Sequence, residues 1–590
     1  MYVRTSTRKN KTGQPVRYLQ LAHNEWDAAA GMSRTKVIYS FGREDDLDRP
    51  AIERLVKSLT RLLDPATAAA LTGPADMTFT DSRPIGGTWL LDGLWHRLGI
   101  PTAISKALTD RRCDPQRVER ILFALVANRA LHPSSKLAAT DWIAHDVHVT
   151  GLTDVVDEAC YRAMDVLHDI EATFAEEVYH QVADLLNLEV DLLFFDTSST
   201  YFETGESDAC VARDEQGRPA PGEPVTDPVR DVGFRTWGKS KDHRDDLPQV
   251  VIGLAVTRTG IPVRVWSWPG NTSDSKLIRQ VKHDMRDWSL ARIVWVADRG
   301  FTSTENRRYL QRGGGHYIIG EKLRSGSPEA QAALSRQGRY ASIADNMQVK
   351  EAKIDDSGDR FVICYNPEQV QRDQHVRDDL VARLTELIDG SDALSPTKRA
   401  ELRGQITTKP GLNRFLRVTP TGLLRIDRAT AKAEARLDGK YLLRSSDPNL
   451  SAEDIACGYK QLLQVERGWR DLKQIIDLRP VYHRREQRIR AHVLLCWLAL
   501  LLIRIVETTT GRTWPGIRAD LQRLHVVSFT GPTGTFRQTT EPTKPQRDLF
   551  TALKITPPKK VVEITANSTP AQAEQDRTEQ DGEPDNATVA

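Results

Sequence analysis

Residues 294–301 read VWVADRGF, and how this stretch is read decides the fold. The chain is apolar from Ile293 to Ala297, then stops at Asp298, Arg299 and Gly300. A short apolar run closed by such residues predicts a buried strand that leaves the core at an aspartate. Taken alone, Asp298 reads first as a turn residue, with half of a metal site as the alternative.

The same texture extends outward from this stretch. VDLLFFD (190–196), LPQVVIGLAVT (247–257) and IPVRVWSWPG (261–270) read as strands, the last two joined as a hairpin around Thr259 and Gly260. A helical stretch from Ser273 leads into the 294–301 strand, and a second, TENRRYLQRG, leads into HYIIGEKL. Residues 325–437 break this rhythm with polar strands and a charged helix, and read as an α+β insertion. GKYLLRSS (439–446) returns to the core. A helix over about 452–475 follows, then a buried helix at 493–506 built on VLLCWLALLLI, an 11-residue run too short to cross a bilayer.

Upstream, residues 1–45 alternate apolar and polar positions and carry eight Lys/Arg against four Asp/Glu, a small basic strand-rich element. From about 50 to 185, apolar residues recur at three- and four-residue spacing, the pattern of an all-α region. The expected division is therefore 1–45, a helical region 46–187, a first core part 188–324, the insertion 325–437, a second core part 438–510, a C-terminal region 511–562, and an acidic tail 563–590 too polar to fold alone. The fold class is multidomain α/β, a mixed-sheet core interrupted by an α+β insertion.

Composition is that of a soluble globular protein, 39% hydrophobic and 27% charged. The net charge of +2 conceals a tail with seven acidic residues and one arginine, so the body is mildly basic, as a polyanionic partner allows without demanding it. Six scattered cysteines form no C-x-x-C pair, which argues against zinc and disulfides and for reduced thiols in the cytoplasm. The N-terminus has no apolar signal segment. GHYIIGEK (315–322) resembles a phosphate loop only superficially, so no nucleotide cofactor is expected. His132, His243, His483 and His492 have no metal spacing, and Trp266 and Trp268 share one strand face as core residues would. The loop from Gly205 to Asp231 is rich in Pro and Asp and reads as mobile.

Two aspartates, Asp196 and Asp298, each close an apolar strand. Brought together they would repel unless a divalent cation held them, and Mg²⁺ favours carboxylate oxygens while keeping waters for substrate phosphates. The third feature is the helix GYKQLLQVERGWRDLK. At 100° per residue, Tyr459 and Lys473 lie about 20° to either side of Glu466, with Leu462 and Arg470 about 40° away. The bland alternative is a surface ion pair between Glu466 and Arg470. From Gly458 to Arg490 there are nine Lys/Arg against four Asp/Glu, as a phosphate-tracking surface needs.

These residues together resemble the bacterial insertion-sequence transposases of the DDE class, the insertion-sequence-four superfamily with an RNase H-like core. The third carboxylate of that family lies in a Y-x2-R-x3-E-x6-K signature. Tyr459, Glu466 and Lys473 match it in identity and spacing, Leu462 stands where Arg is expected, and Asp196 in FFDTSSTYFE and Asp298 before Arg-Gly-Phe match the two aspartates. GNTSD (270–274) is also similar, and the resemblance spans about 190–506. It implies Asp196, Asp298 and Glu466 as catalytic residues and ligands of two Mg²⁺ ions, for which Mn²⁺ can substitute. Tyr459, Lys473, Arg470, Arg467 and Arg299 would lie at DNA phosphates, with Lys460, Arg467 or Arg470 replacing the missing Arg. The implied reaction is nicking at the element's end, a hairpin step, and attack of the 3′-OH on target DNA. The implied partners are double-stranded terminal inverted repeats and target, held by a homodimer. An RNase H-like nuclease without strand transfer, and an end-binding protein that has lost catalysis, remain as alternatives.

Overall fold

The computed structural model describes residues 1–9, 15–27, 31–60, 77–186, 192–214, 217–286, 288, 293–324, 326–355, 357–531 and 534–566. The chain divides into two compact units, one of residues 1–81, 527–537 and 563–590, the other of 82–526 and 538–562. In the first, β1 (Tyr2–Lys9), β2 (Pro15–Asp27) and β3 (Met32–Arg43) form an antiparallel sheet in that order. Its alternating sequence gives two largely solvated faces, with Ala22 buried. A helix, Arg49–Thr60, follows, and then β4 (Thr78–Pro84).

The second unit begins with helices Gly86–Arg97, Ile100–Ala107, Pro115–Leu131, Lys136–Asp141, Asp157–Asp169 and Glu171–Leu186. The 17-residue helix starts where the Asp114 carboxylate accepts from Gln116 N and Arg117 N and Pro115 sets the first turn. Its apolar residues pack against the long helix Glu486–Thr510.

The core sheet follows. It contains β5 (Leu192–Tyr201), β6 (Gln249–Thr257), β7 (Pro262–Pro269), β8 (Val294–Ala297), β9 (His316–Glu321), β10 (Ala341–Ala344), β11 (Met347–Ala352) and β12 (Arg360–Tyr365). A separate two-stranded ribbon comprises β13 (Leu416–Val418) and β14 (Leu424–Ile426), and β15 (Lys440–Ser445) returns to the main sheet. The nine strands run β10-β11-β12-β15-β9-β8-β5-β6-β7. β5, β6 and β7 are antiparallel, whereas β5, β8 and β9 are parallel, which is the RNase H-like arrangement. Gly260, at φ +81°, makes the tight β6–β7 turn, a backbone state costly for other residues. Every residue of β6, β7 and β8 is buried, including Arg264 of β7, whose guanidinium donates to Asp284 O at 2.8 Å. Trp266 and Trp268 stack within this core and donate to Asp284 and Gln280.

Several expectations are corrected. The segment 325–437 is not wholly a separate insertion, because β10, β11 and β12 extend the main sheet through β12–β15 pairing; a small separate core gathers Leu384, Ile406, Leu412 and Phe415. Asp196 does not end its strand. The hydroxyl run after it continues β5, pairing from Asp196↔Leu254 to Tyr201↔Gln249, because β6 supplies the backbone partners that a turn would lack. The expected helix over 452–475 is two helices, Ala452–Lys460 and Leu463–Gln474. The loop at 205–231 closes around the buried Asp231 carboxylate, which accepts from Arg213 N, Thr226 N and Asp227 N.

Helix Glu486–Thr510 has 25 residues, longer than its apolar run implied, and is long and apolar enough to cross a membrane; 94% of its most apolar window is buried inside the protein. Its charged residues are matched internally: Arg504 pairs with Asp471 at 2.7 Å and Glu507 at 2.9 Å. Helices Trp514–Leu521 and Lys544–Ala552 follow, and β16 (His525–Gly531), β17 (Gly534–Thr539) and β18 (Val561–Ala566) form a four-stranded sheet in the order β18-β17-β16-β4. Residues 563–566, assigned to the tail from sequence, therefore belong to a strand. The rest of the expected tail, and the start of the expected strand at 190–191, lie outside the described residues.

Candidate functional site

The site forms where β8 ends beside β5. Parallel pairing of Phe195 with Ala297 makes Asp196 and Asp298 the next residues on adjacent strands, about 4.8 Å apart in backbone spacing. β8 stops there and β5 continues, so a notch opens on the β8 side. Asp298 passes into a short turn, Arg299–Phe301, whose Phe301 packs on Phe195 and anchors the strand end.

Asp196 shows about a quarter of its side chain to solvent. Burial of its carboxyl pushes the pKa up to about 6, the nearby Lys241 ammonium opposes this, and the carboxylates of Asp274 and Asp298 add to it. Lys241 Nζ lies 3.2 Å from Asp274 Oδ2 and 3.8 Å from Asp196 Oδ1, and donates to Thr197 O at 2.7 Å. Thr197 Oγ1 donates to Asp274 Oδ1 at 2.7 Å. Asp274 begins helix Asp274–Asp284, where a carboxylate is favoured by the helix dipole. Two expected aspartates are thus joined by a third and by a lysine that sequence reasoning did not single out; the only earlier signal for Asp274 was the GNTSD motif.

Tyr459 donates its phenol to Asp298 Oδ1 at 3.0 Å. Burial, and then the negative Asp298 beside it, holds the hydroxyl well above the usual phenol range, so it remains a donor. Its ring stacks on Tyr441, and the hydroxyl crosses Gly320 of β9, where a Cβ would collide with it. A cleft of about 480 Å³ adjoins this contact, lined among others by Asp298, Arg299, Lys322, Arg324, Lys440 and Tyr459. Arg324 is held by Glu434 at 2.6 Å, which leaves Arg299, Lys322 and Lys440 to meet a phosphate backbone.

The helical stripe read from sequence is not preserved. Between Tyr459 and Val465 the chain makes i→i+3 bonds, Leu462 N to Tyr459 O, Gln464 N to Gln461 O and Val465 N to Leu462 O, which tighten the turn and redirect the second helix. Each half docks separately: Gly458 lies over Leu192 and Ile318, while Gly468 lies over Leu254. Tyr459 is therefore carried into the notch, whereas Glu466 is exposed and makes no side-chain hydrogen bond or ion pair among the described residues. The alternative ion pair with Arg470 is absent among them, and Arg470 is also exposed. Arg467 donates to Glu507 at 3.0 Å, so its charge is engaged internally. Lys473 is held by Asp242 at 2.9 Å, and Arg299 is exposed beside Asp298.

Carboxylate oxygens on neighbouring strands are the donors that Mg²⁺ takes, so Asp196 and Asp298 fit a divalent cation. Among the described residues no three His, Cys, Asp or Glu side chains converge closely enough to hold one ion. His492 is buried with Nε2 at 3.2 Å from Leu478 O, a structural contact.

Comparison with known proteins follows this geometry. Residues 208–502, half of the chain, match the family described as Transposase DDE domain, and residues 3–69 match the IS1634 family transposase, N-terminal domain. No curated protein matches the chain. Among solved structures, a piggyBac transposase synaptic complex with hairpin DNA aligns over 85% of this chain and 91% of that one, at 11% identity and a TM-score of 0.35.

Proposed function

The chain belongs to the insertion-sequence transposases with a DDE domain, and from that premise we propose that it cuts DNA at the notch between β5 and β8 and joins the freed ends to a target. The observation that carries this reading is that Asp196 and Asp298 each directly follow the last residues paired between β5 and β8, Phe195 and Ala297, with Tyr459 hydrogen-bonded to Asp298. Asp196 and Asp298 would hold Mg²⁺, with Glu466 joining them; such ions polarise a phosphate oxygen and lower the pKa of an attacking water. The fixed phenol of Tyr459 orients the Asp298 carboxylate. Arg299, Lys322 and Lys440, beside the notch, would bind the backbone of the strand being cut and fix its register. The DNA partners are the element's terminal inverted repeats and its target, bound by a homodimer, and Mn²⁺ serves in place of Mg²⁺.

The exposed Glu466 is the observation that favours the binding-only alternative, so the test must separate binding from cutting. End-labelled duplex carrying the element's terminal sequence is incubated with protein and Mg²⁺, beside an Asp298→Asn control. Nicks, hairpins or joined products at the element boundary, absent from the control, are the expected result. Binding without cutting would reduce the protein to an end-binder. Cutting unrelated to the ends would make it a nuclease.

A further inference from the structure

The turn Ser240–Asp246 presents two adjacent side chains of opposite sign to two sites of opposite sign. Lys241 enters the acidic notch. Asp242 turns the other way, its Oδ1 accepting from Lys473 Nζ and its Oδ2 from Arg479 Nη1, both at 2.9 Å. All three side chains are only partly buried, with 17–26% of each exposed. The Arg479 guanidinium also lies over the Tyr201 ring, 5.0 Å from its centroid, at the far end of the strand that carries Asp196. Local bonds fix the turn: Ser240 N donates to Asp245 Oδ1 at 2.7 Å and Lys241 N to Ser199 Oγ at 2.9 Å. It also contains His243 at φ +58°, a left-handed backbone that a non-glycine residue adopts at a cost.

One carboxylate offering one oxygen to a lysine and the other to an arginine reproduces how two non-bridging phosphate oxygens would be held. We propose that Arg479 joins Lys473, already placed at phosphates by the family signature, in one DNA-phosphate subsite, and that Asp242 fills it as an internal anion until the DNA backbone displaces it. Arg479, which no sequence motif singled out, is then a DNA contact, and Asp242 is a competitor for the substrate. The inference rests on the reading that DNA is cut at the notch.

The test is equilibrium binding of a fluorescein-labelled 30-base-pair duplex of the element's terminal sequence, without metal, over a series of salt concentrations. The full-length variants are Asp242→Asn, Arg479→Gln, their combination, and Asp246→Asn. The last removes the same charge from the same turn at an exposed pair with Arg244. Asp242→Asn is expected to bind about tenfold tighter than Asp246→Asn, and its plot of log affinity against log salt is expected to be steeper by about one. Arg479→Gln should weaken binding and flatten that slope by about one, and in the double variant most of the gain should vanish. Equal affinities for Asp242→Asn and Asp246→Asn, or a gain that survives Arg479→Gln, would overturn the proposal. Should Asp242→Asn fail to fold, Arg479→Gln alone decides: unchanged affinity and slope overturn the subsite. A wild-type chain that binds no DNA overturns the functional reading along with it, whereas DNA binding with Asp242 inert overturns only the subsite.

Discussion

Gly320→Ala probes the contact that ties Tyr459 to Asp298. A Cβ at position 320 overlaps the Tyr459 hydroxyl and lies 3.0 Å from Cζ and 3.4 Å from Cε2, so the phenol must leave. The ring is half-buried and stacked on Tyr441, which limits its retreat. Losing a hydrogen bond to a charged acceptor costs about 1.5–3 kcal/mol. Overpacking adds about 1–3 kcal/mol, for roughly 2.5–6 kcal/mol in total. Tyr459→Phe alone should cost only the hydrogen bond. In the Gly320→Ala background that bond is already gone and Phe also removes the overlapping oxygen, so Tyr459→Phe should cost nothing or recover part of the loss, a coupling of at least about 1.5–3 kcal/mol. The assay is denaturant unfolding of the four proteins of this cycle, with cleavage of labelled DNA measured in parallel. The account expects strong coupling, and comparable loss of cleavage in Gly320→Ala and Tyr459→Phe. Additive effects, or a Gly320→Ala protein as stable as wild type, would refute the claim that Gly320 makes room for the phenol.

Asp196→Asn, Asp298→Asn and Glu466→Gln should each abolish DNA cleavage while leaving gel-shift affinity nearly intact; retained cleavage in any one removes that residue from the site. Arg504→Met should destabilise the protein by about 3–5 kcal/mol in denaturant unfolding, because Asp471 loses its 2.7 Å partner inside the fold. Lys136 is 3% exposed, and burial together with the charge of Arg129 lowers its pKa to about 7. Between about pH 7 and 10.5 the unfolded chain then holds a proton that the native chain has released, so this residue makes stability rise with pH. Lys136→Met should therefore raise the melting temperature more at pH 6.5 than at pH 9.5, by about 3 kcal/mol of difference; an equal effect at both pH values would contradict the lowered pKa.

Much of the core could be read from sequence because its signals are local. Apolar runs identify β6 and β8 without tertiary knowledge, and the aspartates at 196 and 298 stand out as the polar residues that end such runs. The break between Tyr459 and Leu463 was not readable: GYKQLLQVERG carries no proline at the break, and its local preference is helical. Gly458 packs over Leu192 and Ile318 and Gly468 over Leu254, contacts far apart in sequence that the local pattern does not show. The roles of Lys241 and Asp242 were equally invisible, because SKDHRDD reads as a solvated loop. Only the return of that loop to Thr197, Lys473 and Arg479, residues 44, 231 and 237 positions away along the chain, gives those charges partners. Asp196 was recognised as a chemical group but misplaced at a strand end, since nothing local to β5 reveals that β8 stops before it does.

The central claim is that cations and DNA meet in the notch between β5 and β8. Replacing Mg²⁺ with Fe²⁺ in the complex with end DNA, then adding ascorbate and peroxide, generates hydroxyl radicals at the bound ion and cuts whatever backbone lies beside it. The account predicts protein cuts next to Asp196 and Asp298 and a DNA cut at the element boundary, all suppressed by excess Mg²⁺ and lost in Asp298→Asn. Cuts elsewhere in the chain, or the same pattern in Asp298→Asn, would contradict it.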